Sequence, residues 1–133
     1  MTLDDFTEKT GSNNLIRHLP MPEKEKIVFG KDCHYTFRFD GITLDDIEVV
    51  YFIIKHGVEV YKVKTNLPGG DVAVEECEDG SFLVTSFLTA SETSELGKQC
   101  FLDNSIQVKL ELHSGHILYG DKVKLIPIKT LDN

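Results

Sequence analysis

Residues 105–131 read S-I-Q-V-K-L-E-L-H-S-G-H-I-L-Y-G-D-K-V-K-L-I-P-I-K-T-L, and this stretch decides the fold. Ile106, Val108, Leu110 and Leu112 alternate with Gln107, Lys109, Glu111 and His113. A strand repeats every second residue, so this alternation gives one apolar face and one polar face. Ser114-Gly115 supplies a turn, and a second apolar run follows over Ile117–Tyr119 and Val123–Ile128. The pattern predicts a long antiparallel hairpin with one wet and one dry face. A dry face has to be covered, and an upstream sheet is expected to cover it.

Working outward, the rest of the chain from Lys24 onward also reads as short strands. Cys33, Tyr35, Phe37 and Phe39 fall on one side of a strand, with His34, Thr36 and Arg38 on the other. Ile47–Lys55 is apolar on both parities, as in a central strand. Val58–Lys64 returns from a turn at His56-Gly57, and Leu67-Pro68-Gly69-Gly70 is a loop. Shorter strands are expected at Ile27–Phe29, Val72–Cys77 and Ser81–Leu88, the last two joined by the turn at Asp79-Gly80. The period then changes. Thr89 followed three residues later by Glu92 forms a capping box, and Gly97 reads as a C-terminal stop. One short helix near 90–97 is therefore expected, tied to the core by Leu88 and Leu96. About seven or eight strands with such turn spacing predict an all-β, immunoglobulin-like antiparallel β-sandwich.

Two segments differ from this pattern. Residues 1–23 are polar and aperiodic around Thr7–Asn14, with Pro20 and Pro22 behind, and read as a flexible N-terminal arm ahead of a sandwich domain at 24–133. Leu15, Ile16 and Leu19 could form one apolar turn that docks on a partner subunit. Pro127 and the outward Lys122, Lys124 and Lys129 mark the last strand as an expected sheet edge.

Charge and composition narrow the function classes. The 133 residues carry 14 basic and 22 acidic side chains, a formal charge of −8. Such a balance disfavours binding to nucleic acid or to anionic membrane, both of which require basic surface. No apolar run reaches the ~18 residues of a membrane-spanning helix. The acidic N-terminus lacks the features of a signal peptide, and Cys33, Cys77 and Cys100 have no paired or metal-binding spacing. These features fit synthesis in the cytoplasm.

Candidate chemistry is sparse. His113 and His116 flank a turn, but no Cys or carboxylate stands at ligand spacing beside them, and zinc needs three or four ligands. Cys33 and His34 are adjacent, which puts them on opposite faces of a strand, wrong for a thiolate–imidazolium pair. Asp45 and Asp46, and Glu75, Glu76, Glu78 and Asp79, lack calcium-loop spacing and read as solvated acidic loops. No catalytic, cofactor-binding or metal-binding residue is assigned, no cofactor is implied, and a non-enzyme is expected.

The order of motifs resembles a known group. A Gly30-led aromatic strand precedes Ile47-x-x-Val50-Tyr51-Phe52-Ile53-Ile54-Lys55-x-Gly57 and then Val58-x-Val60-x-Lys62. Leu88-Thr89-x-x-Glu92-Thr93 opens the helix, and Val108-x-Leu110-x-Leu112-x-Ser114-Gly115 leads to a lysine-rich return ending at Thr130-Leu131. Over about residues 26–131 this resembles the small β-sandwich structural proteins of tailed phages and prophages, and is similar to the N-terminal domain of the phage baseplate upper protein. Where that group opens its first long strand with Arg-Gly-Thr-Thr-Pro, this chain has Phe29-Gly30-Lys31-Asp32-Cys33. The resemblance implies a non-catalytic virion structural protein of the tail or baseplate region. Its partners would be other virion proteins or copies of itself, as a homo-oligomer. It would be made in the host bacterial cytoplasm and located in the virion after assembly. A stand-alone ligand- or carbohydrate-binding sandwich module is the alternative, although the chain has no Trp for sugar stacking.

Overall fold

Asn104–Leu112 is the strand around which the other elements are laid, and the computed structural model describes it together with residues 18–19, 21–99 and 102–128. In chain order the strands are β1 (His18–Leu19), β2 (Lys24–Ile27), β3 (Cys33–Phe39), β4 (Ile47–His56), β5 (Glu59–Thr65), β6 (Ala73–Glu76), β7 (Phe82–Leu88), β8 (Asn104–Leu112), β9 (Ile117–Gly120) and β10 (Val123–Pro127). The helix α1 spans Ala90–Gly97, and a single 3-10 turn covers Leu44–Asp46.

Strand β8 is paired along both edges. On one side lies β4, register Phe52↔Val108, with β5 beyond it. On the other side the expected hairpin return is broken into two antiparallel pieces, β9 opposite Lys109–Glu111 and β10 opposite Asn104–Ile106. Outside these, β1 runs parallel to β9 and β2 parallel to β10. The result is a seven-stranded sheet, faced by a three-stranded antiparallel sheet in the order β3-β7-β6. The chain changes sheet between β2 and β3, β3 and β4, β5 and β6, and β7 and β8. Over the described residues this is a two-layer, immunoglobulin-like β-sandwich with one short helix.

Alternation accounts for the core. Tyr35, Phe37 and Phe39 of β3 and Phe82, Val84 and Leu88 of β7 point inward from the small sheet. Val50, Phe52 and Ile54 of β4 and Ile106, Val108, Leu110 and Leu112 of β8 meet them from the large one. Phe52 is the bridge between layers, with its ring 5.9 Å from that of Phe37 and 6.5 Å from that of Tyr35. Each such aromatic removed from water contributes about 1.5–3 kcal/mol. The dry face of the hairpin is thus covered by an upstream sheet.

Three local expectations are revised. The last strand is not an edge: β10 is flanked by β8 and β2, and Pro127 closes it at a terminal position opposite Ile27. The short first strand lies earlier, at Lys24–Ile27, because its parallel register with β10 ends at Pro127. Gly97 does not adopt a positive φ and is not a left-handed stop. It is the last helical residue, and a Cβ there would come within 2.8 Å of the Phe29 ring. Its role is close approach. At the hairpin turn, Gly115 does take φ 93°, as the turn requires. Of the expected arm, residues 1–17 and 20 lie outside the described residues, while His18–Leu19 pair with Tyr119–Gly120.

Candidate functional site

The outer face of the large sheet carries the features that packing does not use. Side chains opposite one another across a sheet share a face, so the register gives this surface in rows. One row runs Thr65, Tyr51, Lys109, Tyr119. Lys109 Nζ sits 4.6 Å from the centre of the Tyr51 ring and 5.9 Å from that of Tyr119, a cation shared between two aromatic faces. Tyr51 donates its hydroxyl hydrogen to Glu111 Oε1 at 2.8 Å, which holds that phenol protonated above its ordinary range. Beside this row lie Ile53 opposite Val63, and Glu111 opposite Ile117. Toward the β4–β5 turn, Val60 is exposed and Val58 is 92% exposed. Tyr119, at 51%, Ile117 and Val63 complete a set of apolar and aromatic side chains facing water from one sheet.

The end of this face beside the β4–β5 turn is basic. A second row runs Val60, Lys55, Ser105, Lys124, Lys24, with Lys26 opposite Ile126 two residues further on. A hollow of about 160 Å³ opens here, lined by Gly57, Asp103, Asn104, Ser105, Lys122 and Lys124. Asn104 and Ser105 are 3% and 7% exposed. Asn104 Oδ1 accepts from His56 Nδ1 at 2.6 Å.

A buried ionic cluster ties the helix to the far edge of this sheet. The capping box foreseen at the start of α1 is present: Glu92 N–H donates to Thr89 Oγ1 and Thr89 N–H to Glu92 Oε1. Glu92 also receives Lys64 Nζ at 2.9 Å and Lys62 Nζ at 2.8 Å. Lys64 further donates to the Phe87 carbonyl and lies 4.5 Å from the centre of the Phe87 ring. Burial by itself raises the Glu92 pKa and is the largest single contribution. The hydrogen bonds from Lys62, Lys64 and Thr89 and the Lys64 charge outweigh it, bringing the pKa down to about 2. Nearby, Tyr61 donates to Glu95 Oε1 at 2.6 Å, and burial with that bond pushes its phenol up to about 12. These contacts are structural: they lock α1 onto β5.

The residues singled out from the sequence are not brought together. His113 stands 4.0 Å from Glu48 at the exposed hairpin end, and His116 is exposed on the other side of the turn. Cys33 and His34 lie on opposite faces, the thiol against Val28 and the imidazole beside the Phe87 ring. Asp45 and Asp46 belong to the 3-10 turn. Asp79 is held by Ser81 and Arg38. Among the described residues, no group of three or more His, Cys, Asp and Glu side chains is placed to hold a metal ion. A groove of about 260 Å³ between α1 and the β4–β5 hairpin is lined by His56, Tyr61, Glu95, Leu96, Lys98 and Gln99. The His56 ring is engaged at both nitrogens, by Asn104 and by Gln99 Oε1 at 3.3 Å.

Tyr51 and Tyr119, which fall in apolar runs of the sequence, belong to the outer face. The Tyr51–Lys109–Tyr119 row was hidden because it depends on long-range register between β4, β8 and β9.

No protein-family model matches the sequence, and no curated protein matches it. Among solved structures the chain is similar to murine CRIg, with 13% identity and a TM-score of 0.45 over 84% of this chain and 97% of that one. The strand order and pairings above, not this likeness, define the architecture.

Proposed function

We propose that this chain is a non-catalytic assembly protein of a tailed phage or prophage, a building block of the tail or baseplate region that acts through protein–protein contacts. The observation that carries the reading is the outer face of the large sheet, where Tyr119 and Ile117 face water near Lys109 and Val60 and Val63 face it from β5. Exposed apolar side chains gathered on one face of a rigid sheet mark an interaction surface. The motif order between Gly30 and Leu131 directs the reading toward virion structural modules. In this account the chain is made in the host cytoplasm and ends in the virion. The test is to induce the source strain, band the released particles on a density gradient and identify their proteins by mass spectrometry. The chain is expected in the particle fraction in multiple copies per particle; its exclusion from banded particles contradicts the reading.

A second reading, a carbohydrate-binding module, is favoured by the outward rings of Tyr51 and Tyr119, since tyrosine faces stack on sugars. Lys109 already covers both rings, which weakens it. A glycan array probed with the full chain decides: a hit lost in Tyr119→Ala supports the module, and a blank array removes it.

A further inference from the structure

We propose that the lysine-rich end of the large sheet is a carboxylate receptor, and that its occupant is the Glu75–Asp79 corner of a second copy of this chain. This deepens the assembly reading and rests on it. Lys24, Lys26, Lys55, Lys122 and Lys124 gather at one end of one face in a chain whose formal charge is −8. Among the described residues none of these five forms an ion pair.

The hollow between them is built for an oxyanion. Lys122 and Lys124 line it, and Lys55 and Lys24 share the row of Lys124 and Ser105. Ser105, 7% exposed and in the row of Lys55 and Lys124, makes no side-chain hydrogen bond through its Oγ among the described residues. A buried donor left unpaired costs about 1–3 kcal/mol, and a carboxylate seated between the ammonium groups would accept from this hydroxyl. Asp103 also lines the hollow and opposes an anion, so the occupant must engage several lysines at once.

The β6–β7 turn supplies such an occupant. Glu75, Glu76 and Glu78 are exposed and form no ion pair among the described residues, while Asp79 is engaged by Arg38 and Ser81. The corner belongs to the three-stranded sheet and the receptor to the seven-stranded one. The contact therefore joins unlike surfaces, a head-to-tail arrangement that builds rings or filaments. Two copies of net charge −8 repel at long range, but at physiological salt charges are screened beyond about 8 Å, and the contact pairs decide.

Charge-swap complementation on the full chain tests this, read by sedimentation velocity at physiological salt. The wild type is expected to form oligomers whose mass rises with concentration. Lys122→Glu/Lys124→Glu and Glu75→Lys/Glu78→Lys are each expected to associate roughly tenfold more weakly or not at all, since several pairs reverse sign together. Mixed one to one, they are expected to regain association as alternating head-to-tail oligomers, because the reversed receptor meets the reversed corner and the two unaltered surfaces meet each other. Circular dichroism melts check that each variant folds, and the milder Lys122→Gln/Lys124→Gln pair, also expected to weaken association, replaces the lysine reversal if that variant does not fold. A wild type that stays monomeric at every concentration, or a mixture that does not associate, overturns the proposal. So does a wild-type monomer whose Ser105 and Lys124 amide resonances shift with inorganic phosphate, which would make the hollow a free-anion site. A chain found in banded particles yet monomeric alone sinks this contact and leaves the assembly role; complementation without particle incorporation does the reverse.

Discussion

Lys64 of β5 donates to Glu92 of α1 at 2.9 Å, with Lys64 only 4% exposed, so a charge from the sheet's outer strand is neutralised by the residue that caps the helix. A buried ion that loses its partner is costly, whereas replacing both partners with neutral groups of similar shape is often tolerated. Glu92→Gln keeps an acceptor for Thr89 N–H but leaves the Lys64 charge buried, and is expected to cost about 3 kcal/mol. Adding Lys64→Met is expected to recover at least half of that loss. Urea denaturation of both single variants and the double variant measures this; strict additivity would mean the two side chains do not act together.

The same carboxyl makes stability depend on acid. In the folded chain Glu92 titrates at about 2, against an ordinary value of 4.5. A folded pKa below the unfolded one gives stability that is complete above the ordinary value and is lost as pH falls from there toward 2. Urea midpoints of the wild type are expected to fall across that window. The corresponding slope should be shallower in Glu92→Gln; equal slopes would show that other carboxylates govern the acid limb.

Gly97 offers a sign test. On helix propensity alone, Gly97→Ala would stabilise by about 1 kcal/mol. The added Cβ would meet Phe29 Cγ at 2.8 Å and its Cβ at 3.1 Å, so the substitution is expected instead to destabilise. Overpacking of this kind costs about 1–3 kcal/mol. Phe29→Ala in the Gly97→Ala background should relieve part of the loss, measured by thermal melts. A higher Tm for Gly97→Ala alone would refute the packing role.

Tyr35 joins the two layers by a polar contact. Its hydroxyl, buried against the core, donates to the Lys26 carbonyl of β2 at 2.7 Å, and burial raises its pKa beyond the reach of ordinary conditions. Tyr35→Phe removes the donor and nothing else, for an expected loss of about 1 kcal/mol. Urea midpoints check it, and an unchanged midpoint would mean that the Lys26 carbonyl finds water in its place.

Most of the architecture was legible because it follows from local patterns. The alternation from Ile106 to His113 gave the face and the hairpin, and Thr89 with Glu92 placed the helix. What stayed hidden depends on register between distant segments. Nothing near Pro127 indicates that β2 will pair beyond it, and nothing near Lys64 indicates that a helix residue will neutralise it. Tyr51 sits in a run apolar on both parities, so its face became known only from the pairing with Lys109. The candidate surface is of this second kind: its rows assemble residues from four or five strands.

Lysine footprinting tests the central claim, that the outer face of the large sheet is where this molecule meets its neighbours. The chain would be acetylated at low reagent dose when dilute and monomeric, and again in its assembled form, with modified sites quantified by mass spectrometry. The account expects protection of Lys55, Lys109 and Lys124 on assembly, while Lys31, exposed before β3, reacts equally in both states. Equal reactivity of all four, or protection of Lys31 alone, would contradict it.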